Sequence, residues 1–320
     1  MILWEYLIRV IVMKRLLVVT AVIIIIPFFV VNFWVNKELD LKEIELKYLS
    51  NLMVRVKRSS GNIESMPMEV YIEGVVAGEM PVSFELEALK AQSVASRSYV
   101  MKRIDNNKDK EYDVVDTVSN QVYLDEGQLK DKWGDNYVPY INKVREAVNG
   151  TSMEYLEYDG EIIDAMFFST SNGYTEDSGV VFANSLPYLK SVESSYDEEV
   201  AQAFYSSKSI SLQEFYERLG LGYNKDLKVE VLERSASNRI VKLKINDKEF
   251  TGRGVYDKLG LRSTDFEFVQ VGSNVEIKTK GYGHGVGMSQ YGAHGMAKRG
   301  YNYKEILAHY YVGTTLVKVK

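Results

Sequence analysis

The sequence contains no cysteine. Without thiols the chain can form neither a disulfide framework nor a thiolate zinc site. Histidine is almost as scarce, since His284, His294 and His309 are the only three. They lack the four-residue spacing by which two histidines on one helix bind zinc. The sequence therefore predicts no bound metal and no cofactor.

An excess of positive charge is also absent. The 39 basic residues are outnumbered by 44 acidic ones, which leaves a net charge of -5. Proteins that bind nucleic acid usually carry a clustered excess of lysine and arginine, so this class is excluded. The sequence is instead rich in aromatics, with 23 Tyr and 12 Phe. Most of these fill a core, and some can offer stacking faces to sugar rings.

The segment 16–35 contains no charged residue. Twenty uncharged residues are enough for a helix to cross roughly 30 Å of hydrocarbon. Arg9, Lys14 and Arg15 precede this segment, and positive charge stays on the cytoplasmic side. We predict a cytoplasmic N-terminus over residues 1–15 and a single-pass anchor in the cell membrane, with the rest of the chain outside the cytoplasm.

A cleaved signal peptide is the alternative interpretation of the same segment. Cleavage sites need small residues, whereas Phe33, Trp34 and Val35 are bulky, so we favour an uncleaved anchor. Met13 is an alternative start of translation. Beyond the anchor, the charged stretch 36–64 is typical of a juxtamembrane stalk.

Residues 65–320 are expected to form the functional domain, with helices and strands in separate blocks. A helix is predicted over residues 85–104, with acidic residues in its first turn and basic residues in its last. Asp159 and Gly160 separate two apolar runs and predict a hairpin. The pattern indicates an α+β fold, in which a catalytic helical region packs with antiparallel β elements after one transmembrane helix.

The first candidate site is Glu79, just ahead of the predicted helix. Apolar neighbours could desolvate its carboxyl and raise its pKa toward the range of a general acid. Lys90, Ser93 and Arg97 follow at helical spacing and form a polar stripe on one face. Taken by themselves, an isolated glutamate and such a stripe are more often solvated surface groups.

Two further segments could contact a sugar. Ser169, Thr170 and Ser171 follow an apolar strand and could bind sugar hydroxyls, although a turn requires the same residue types. His284 lies among alternating glycines that allow close backbone approach to a ligand, and Gln290 follows shortly after.

Several runs of sequence together resemble the stage II sporulation protein D family. They are VVAGEMPVSFELEALKAQSVASRSYV, STSNGYTEDS, GLRSTDFEF and GYGHGVGMSQYGAHGMA, in the same order as in the family. The resemblance implies a lytic transglycosylase that cleaves between N-acetylmuramic acid and N-acetylglucosamine of peptidoglycan glycan strands during forespore engulfment. It also implies 1,6-anhydro ends on the products, and two partners, the amidase stage II sporulation protein P and the membrane protein stage II sporulation protein M.

The same resemblance assigns roles to individual residues. Glu79 matches the catalytic glutamate of the family's Glu-Met-Pro motif, and Lys90 and Arg97 match basic residues implied to bind substrate. A lytic enzyme needs one carboxyl, which acts first as acid and then as base. No second carboxylate is evident, and Asp164, Glu176 and Asp177 stay open as alternatives.

Other interpretations remain open beside this one. A non-catalytic, glycan-binding amidase enhancer would use the same aromatic and hydroxyl-rich loops, and a hydrolytic muramidase would use the same cleft. Some family members hold zinc through His and Cys near the Ser-Thr-Ser loop. Here Phe168 precedes Ser169 and cysteine is missing, so zinc is not expected.

Overall fold

The structure, a computed structural model, describes residues 4, 13–15, 26, 43–46, 51–182 and 184–319. The chain divides into two compact units, Met1–Glu43 and Ile44–Lys320, and the fold described below belongs to the second. The predicted anchor over residues 16–35 lies outside the described residues, Ile26 apart. Within the part of the chain that is described, no helix combines the length and the apolar character needed to cross a membrane.

The helices and strands of the second unit follow one another in mixed order. The helices are α1 Met68–Glu79, α2 Leu86–Asn106, α3 Glu126–Trp133, α4 Tyr137–Gly150, α5 Ser178–Val181, α6 Tyr196–Val200, α7 Leu212–Leu219, α8 Gly252–Leu259, α9 Gln290–Lys298 and α10 Tyr303–Tyr310, with a 3-10 turn over Gly134–Asn136. The strands are β1 Met53–Lys57, β2 Ile63–Pro67, β3 Val114–Val115, β4 Glu154–Tyr158, β5 Glu161–Ile162, β6 Phe167–Phe168, β7 Tyr205–Ser211, β8 Val229–Arg234, β9 Ile240–Ile245, β10 Lys248–Thr251, β11 Phe266–Val271, β12 Asn274–Lys280, β13 Met288–Ser289 and β14 Thr315–Lys318.

Helix α2 is the centre of the main hydrophobic core. It covers Leu86–Asn106, which confirms the helix predicted over residues 85–104. Every residue from 91 to 100 is buried, because α1, α4, α9 and α10 all pack around it. The start of helix α10 depends on local signals as well: Asn302 caps the helix and forms a capping box with Glu305.

The sheets beside this core are small and mostly antiparallel. The predicted hairpin is present: Asp159 and Gly160 connect β4 to β5 with φ angles of 51° and 78°, as a two-residue hairpin turn requires. Strand β1 pairs with β2 and β3, and its Val54 and Val56 are buried in the main core. Because β1 falls within residues 36–64, part of the expected stalk belongs to the folded unit.

A second hydrophobic core lies between residues 205 and 280. Helices α7 and α8 pack against two three-stranded antiparallel sheets, with strand orders β10-β9-β8 and β11-β12-β7. The chain leaves the main core after Phe204 and returns at Gly281, whose N–H donates to the Phe204 carbonyl over 2.8 Å. The protein is thus a mixed α+β fold with antiparallel sheets and several helices, as predicted.

Candidate active site

Glu79 is the last residue of α1, at the point where the chain changes from helix to extended backbone. Val75, Val76 and Met80 beside it are buried, and the glutamate itself is half-buried. Its Oε1 accepts a hydrogen bond of 2.6 Å from the backbone N–H of Val122. The carboxyl is therefore fixed in place by the loop that precedes α3.

The surroundings of Glu79 change its acidity. Burial raises the pKa of the Glu79 carboxyl above its usual value, because a carboxylate is poorly solvated there. Hydrogen bonds from the Val122 N–H and from the Gln290 side chain lower the same pKa but do not cancel the effect of burial. A raised pKa increases the protonated fraction near neutral pH, as a general acid requires.

Gln290 belongs to a chain of amides that supports this carboxyl. It is 6% exposed, and its Nε2 also lies 3.4 Å from Oε1 of Gln92. Gln92 in turn donates from Nε2 to Ser96 Oγ over 2.9 Å. We predicted Gln290 to bind substrate, whereas its burial and its contacts fit a residue that positions Glu79.

Replacing Gln290 by leucine is expected to shift the pH profile of the protein's activity. Loss of the Gln290 hydrogen bond, which favours the carboxylate, raises the pKa of Glu79 further. Activity that needs protonated Glu79 declines as pH rises through this pKa, so the alkaline limb of the profile moves to higher pH. Rates of the glycan cleavage that the resemblance implies, measured from pH 5 to 9, test this expectation. Gln213→Leu, on the exposed side of α7, is the control, and identical profiles for all three proteins would remove Gln290 from the site.

The face of α2 toward Glu79 differs from the one that the sequence suggested. Gln92, Ser96, Tyr99 and Arg103 lie on one side of the helix, and Tyr99 Oη accepts a 2.9 Å hydrogen bond from Asn120. Lys90 and Gln92 are two residues apart, which is about 200° around a helix. The stripe of Lys90, Ser93 and Arg97 therefore points away from Glu79.

The contacts of Lys90 and Arg97 agree with an orientation away from Glu79. Arg97 is 1% exposed; its Nη2 pairs with Glu69 over 2.7 Å and its Nη1 donates to the Glu154 carbonyl. Lys90 pairs with Glu87 over 2.6 Å and lies 5.9 Å from the ring centroid of Tyr303. Burial in an ion pair does not fit direct contact of Arg97 with substrate, and we assign it a structural role.

The polar groups of the Ser-Thr-Ser loop form hydrogen bonds mainly with neighbouring segments of the chain. Thr170 exchanges backbone hydrogen bonds with Tyr282, and Ser171 Oγ donates to the Ser194 carbonyl. Ser169 is half-buried, and its Oγ lies 3.2 Å from that of Thr170. Thr170 and Ser171 are buried, so of the three predicted sugar-binding residues only Ser169 retains partial exposure.

Asp197 joins this loop to the segment that carries Gln290. Its Oδ1 accepts the Ser171 N–H over 2.8 Å and the hydroxyl of Ser289, and its Oδ2 accepts the Ser194 hydroxyl over 2.7 Å. The carboxyl is wholly buried, which raises its pKa against the opposing effect of these donors. Sequence analysis missed Asp197 because two of its three partners, Ser171 and Ser289, are 26 and 92 positions away.

His284, which we predict to contact a sugar, packs against aromatic rings and is not a titrating group near neutral pH. Its Nδ1 accepts the Val286 N–H over 3.0 Å, and its ring lies between those of Phe168 and Phe182. Burial lowers the pKa of His284 to about 4, with Arg239 adding to the effect. The imidazole is therefore neutral at neutral pH.

Gly287 shows why the segment around His284 is rich in glycine. Its φ is +82°, and a Cβ at this position would lie 2.0 Å from the Met166 carbonyl oxygen. Gly287→Ala is therefore expected to lower the free energy of unfolding by at least about 3 kcal/mol. Gly272→Ala is the control, because its φ is also positive, +60°, but the space around it is open. Chemical denaturation measures both, and equal losses would show that only the backbone angle matters.

The donor set around the Ser-Thr-Ser loop does not fit zinc. Phe168 is buried beside the loop, and the His284 Nδ1 already accepts a hydrogen bond. Across residues 51–182 and 184–319, no three or more histidine or acidic side chains cluster as a metal site would need.

The fold and this site define an α+β protein in which a half-buried glutamate is held by two hydrogen-bond donors. A family model described as Stage II sporulation protein matches residues 57–158. The chain is 41% identical to Stage II sporulation protein D of Bacillus amyloliquefaciens over 273 residues, which cover 83% of this chain and 79% of that one. It is 36% identical to Stage II sporulation protein D of Bacillus subtilis (strain 168) over 321 residues, 93% of each.

The chain therefore belongs to the stage II sporulation protein D family, a family of sporulation proteins. A more distant relative is the protein named Amidase enhancer of Bacillus subtilis (strain 168). It is 30% identical over 299 residues, which cover 77% of this chain and 40% of that protein.

Proposed function

We propose that the protein is a lytic transglycosylase that cleaves the bond between N-acetylmuramic acid and N-acetylglucosamine in peptide-free peptidoglycan strands. The observation that carries the proposal is the half-buried carboxyl of Glu79, with its raised pKa and its two hydrogen-bond donors. Such a group can give a proton to the glycosidic oxygen and remain oriented when it becomes a carboxylate.

The proposed reaction needs no second carboxyl and consumes no water. Protonated Glu79 donates its proton to the glycosidic oxygen as the bond to the anomeric carbon breaks. The resulting carboxylate then takes the proton of the C6 hydroxyl of the same muramic residue, whose oxygen attacks the anomeric carbon. The products are a free hydroxyl end and a 1,6-anhydro end, and Glu79 is protonated again.

Asp164, Glu176 and Asp177, the alternatives for a second catalytic carboxylate, are bound by other side chains. Asp164 accepts two hydrogen bonds from Arg103, and Asp177 pairs with Lys190 over 2.9 Å. Glu176 is buried and accepts the hydroxyl of Ser237 over 2.7 Å. A hydrolase would need a carboxylate free to activate water. These contacts favour the lytic reaction over a hydrolytic muramidase.

A non-catalytic amidase enhancer is the second candidate, since one relative bears that name. The two functions differ in what the protein does alone. We expect the purified full-length chain in detergent to release soluble fragments from peptide-free glycan strands, and the Glu79→Gln variant to release none. Release only after an amidase is added would favour the enhancer.

We further propose that the protein acts during forespore engulfment together with stage II sporulation proteins P and M. Membership of the sporulation family and the resemblance described above support this role. Removal of stem peptides by an amidase would supply the peptide-free strands that the proposed reaction uses.

We place the functional domain outside the cytoplasm, held by the uncharged segment 16–35. Positive charge before this segment supports that orientation. A phosphatase reporter that folds only outside the cytoplasm is expected to be active when fused after Lys320, and the fusion should sediment with membranes. Release of a soluble, N-terminally trimmed protein would instead indicate a cleaved signal peptide.

A further inference from the structure

The loop that carries Val122 connects β3 to α3 and has no regular secondary structure over residues 116–125. The N–H of Val122 donates to Glu79 over 2.6 Å, so the loop supplies one of the two donors that bind the carboxyl. Val118 in the same loop is 90% exposed. An irregular loop has many conformations available, and its backbone stays aligned with a distant group only if other residues fix it.

Arg58, which directly follows β1, closes the base of this loop. Its Nε donates to Asp116 over 2.9 Å and its Nη2 donates to Asp125 over 2.7 Å. One guanidinium therefore joins the first residue of the loop to the last. The cation also lies 4.9 Å from the ring centroid of Tyr123, the neighbour of Val122. The side chains of Arg58 and Asp116 are only 9% and 7% exposed, so salt screens this pair little.

The middle of the loop packs directly on helix α1. A Cβ at Gly78 would lie 2.7 Å from the Val122 carbonyl oxygen, so only glycine allows the two backbones to approach this closely. Gln121 is fully buried, and its Oε1 accepts the Tyr71 hydroxyl over 3.1 Å. The position of the Val122 N–H thus depends on the loop lying against α1, while Arg58 holds the two ends of the loop together.

We propose that Arg58 is a positioning residue of the active site, which acts through loop 116–125 to keep the Val122 N–H on the Glu79 carboxyl. The inference rests on the proposed function for the reaction that this contact serves. Burial, the Val122 N–H and the Gln290 side chain shift the pKa of Glu79, and Arg58 is not among the described groups that do so. The effect of Arg58 on the acid therefore passes through the loop and not through its charge.

Hydrogen exchange tests whether Arg58 holds the loop. Replacing Arg58 by methionine frees the base of the loop and weakens the hydrogen bond to Glu79. In the full-length chain in detergent, mass spectrometry should then show the amides of residues 116–125 exchanging about tenfold faster. Arg253→Met, which breaks an exposed ion pair with Asp257, is the control and should leave the exchange of this loop unchanged. Unchanged exchange in Arg58→Met would overturn the proposal.

The pH profile of cleavage separates positioning from a purely structural role. A weaker hydrogen bond from Val122 raises the pKa of Glu79, because that bond favours the carboxylate. The alkaline limb of the profile should therefore move to higher pH in Arg58→Met. We also expect kcat to fall about tenfold to hundredfold with little change in KM, since the acid is misaligned. A variant that is less stable but keeps its pH profile would make Arg58 a structural residue only and contradict the proposal.

Gly78→Ala tests the same contact while Arg58 stays intact. The added Cβ displaces the Val122 carbonyl from α1, so the pH profile should move in the same direction as in Arg58→Met. Gly150→Ala, also in a helix, is the control, because its Cβ would meet only the side chain of Lys90 at 3.3 Å. Unchanged profiles in both Arg58→Met and Gly78→Ala would refute the positioning role. The exchange result stands even if the protein proves to be a hydrolase or an enhancer, which would overturn only the proposed function.

Discussion

Replacing Glu79 by glutamine will lower the rate of glycan cleavage by about a hundredfold to ten-thousandfold, the usual cost of removing a general acid. Glutamine keeps the shape of the side chain, and its carbonyl oxygen can still accept the hydrogen bond from Val122. What it loses is the transferable proton. Glu79→Ala should be equally inactive, and rates with peptide-free strands as substrate measure both variants.

The fold and the binding of glycan should survive the glutamine substitution. Thermal unfolding and calorimetric titration check these two points on the same preparation. Glu85→Gln is a matched control, because Glu85 is exposed at the start of α2 and is expected to retain full activity. Wild-type activity in Glu79→Gln would remove this residue from the mechanism.

Replacing Arg97 by methionine will destabilise the protein by about 3–5 kcal/mol, because it leaves the buried carboxylate of Glu69 without its partner. Glu69 is 3% exposed and receives hydrogen bonds of 2.7 and 3.2 Å from the guanidinium. The Glu154 carbonyl loses a donor as well. Chemical denaturation measures the loss of stability. If Arg97→Met does not fold at all, the loss exceeds the stability of the protein.

A double variant separates this structural role from substrate binding. Glu69→Leu combined with Arg97→Met removes both charges and should recover most of the stability, as apolar replacements of buried pairs do. Arg218→Met is the control, since its exposed pair with Glu214 should contribute less than about 1 kcal/mol. If Arg97→Met kept its stability and lost only glycan binding, Arg97 would be a substrate residue after all.

Local patterns predicted much of the fold because their physical causes are local. The hairpin at Asp159 and Gly160 depends on backbone angles of two neighbouring residues, and the cap of α10 depends on Asn302 and Glu305. The apolar neighbours of Glu79 likewise indicated a desolvated carboxyl. The second core could not be foreseen as one unit, because its first strand, β7, pairs with β12 at the far end of the segment.

The polar face of α2 was misjudged for a different reason. A stripe of basic residues suggested an exposed face, but this helix is surrounded by others and has no long solvated side. The partner of Arg97 lies 28 residues earlier in the chain, so its pairing is invisible to helical spacing. Gln92 and Ser96, which support the amide next to Glu79, share four-residue spacing that could have indicated the correct face.

The mass of the product ends tests the central proposal most directly. Peptide-free glycan strands are incubated with the full-length protein in detergent, and the soluble fragments are analysed by mass spectrometry. A lytic transglycosylase with Glu79 as its only acid and base leaves 1,6-anhydro-muramic ends, each lighter by one water than a hydrolysis product. Reducing muramic ends as the main product would contradict this account and require a second group that activates water.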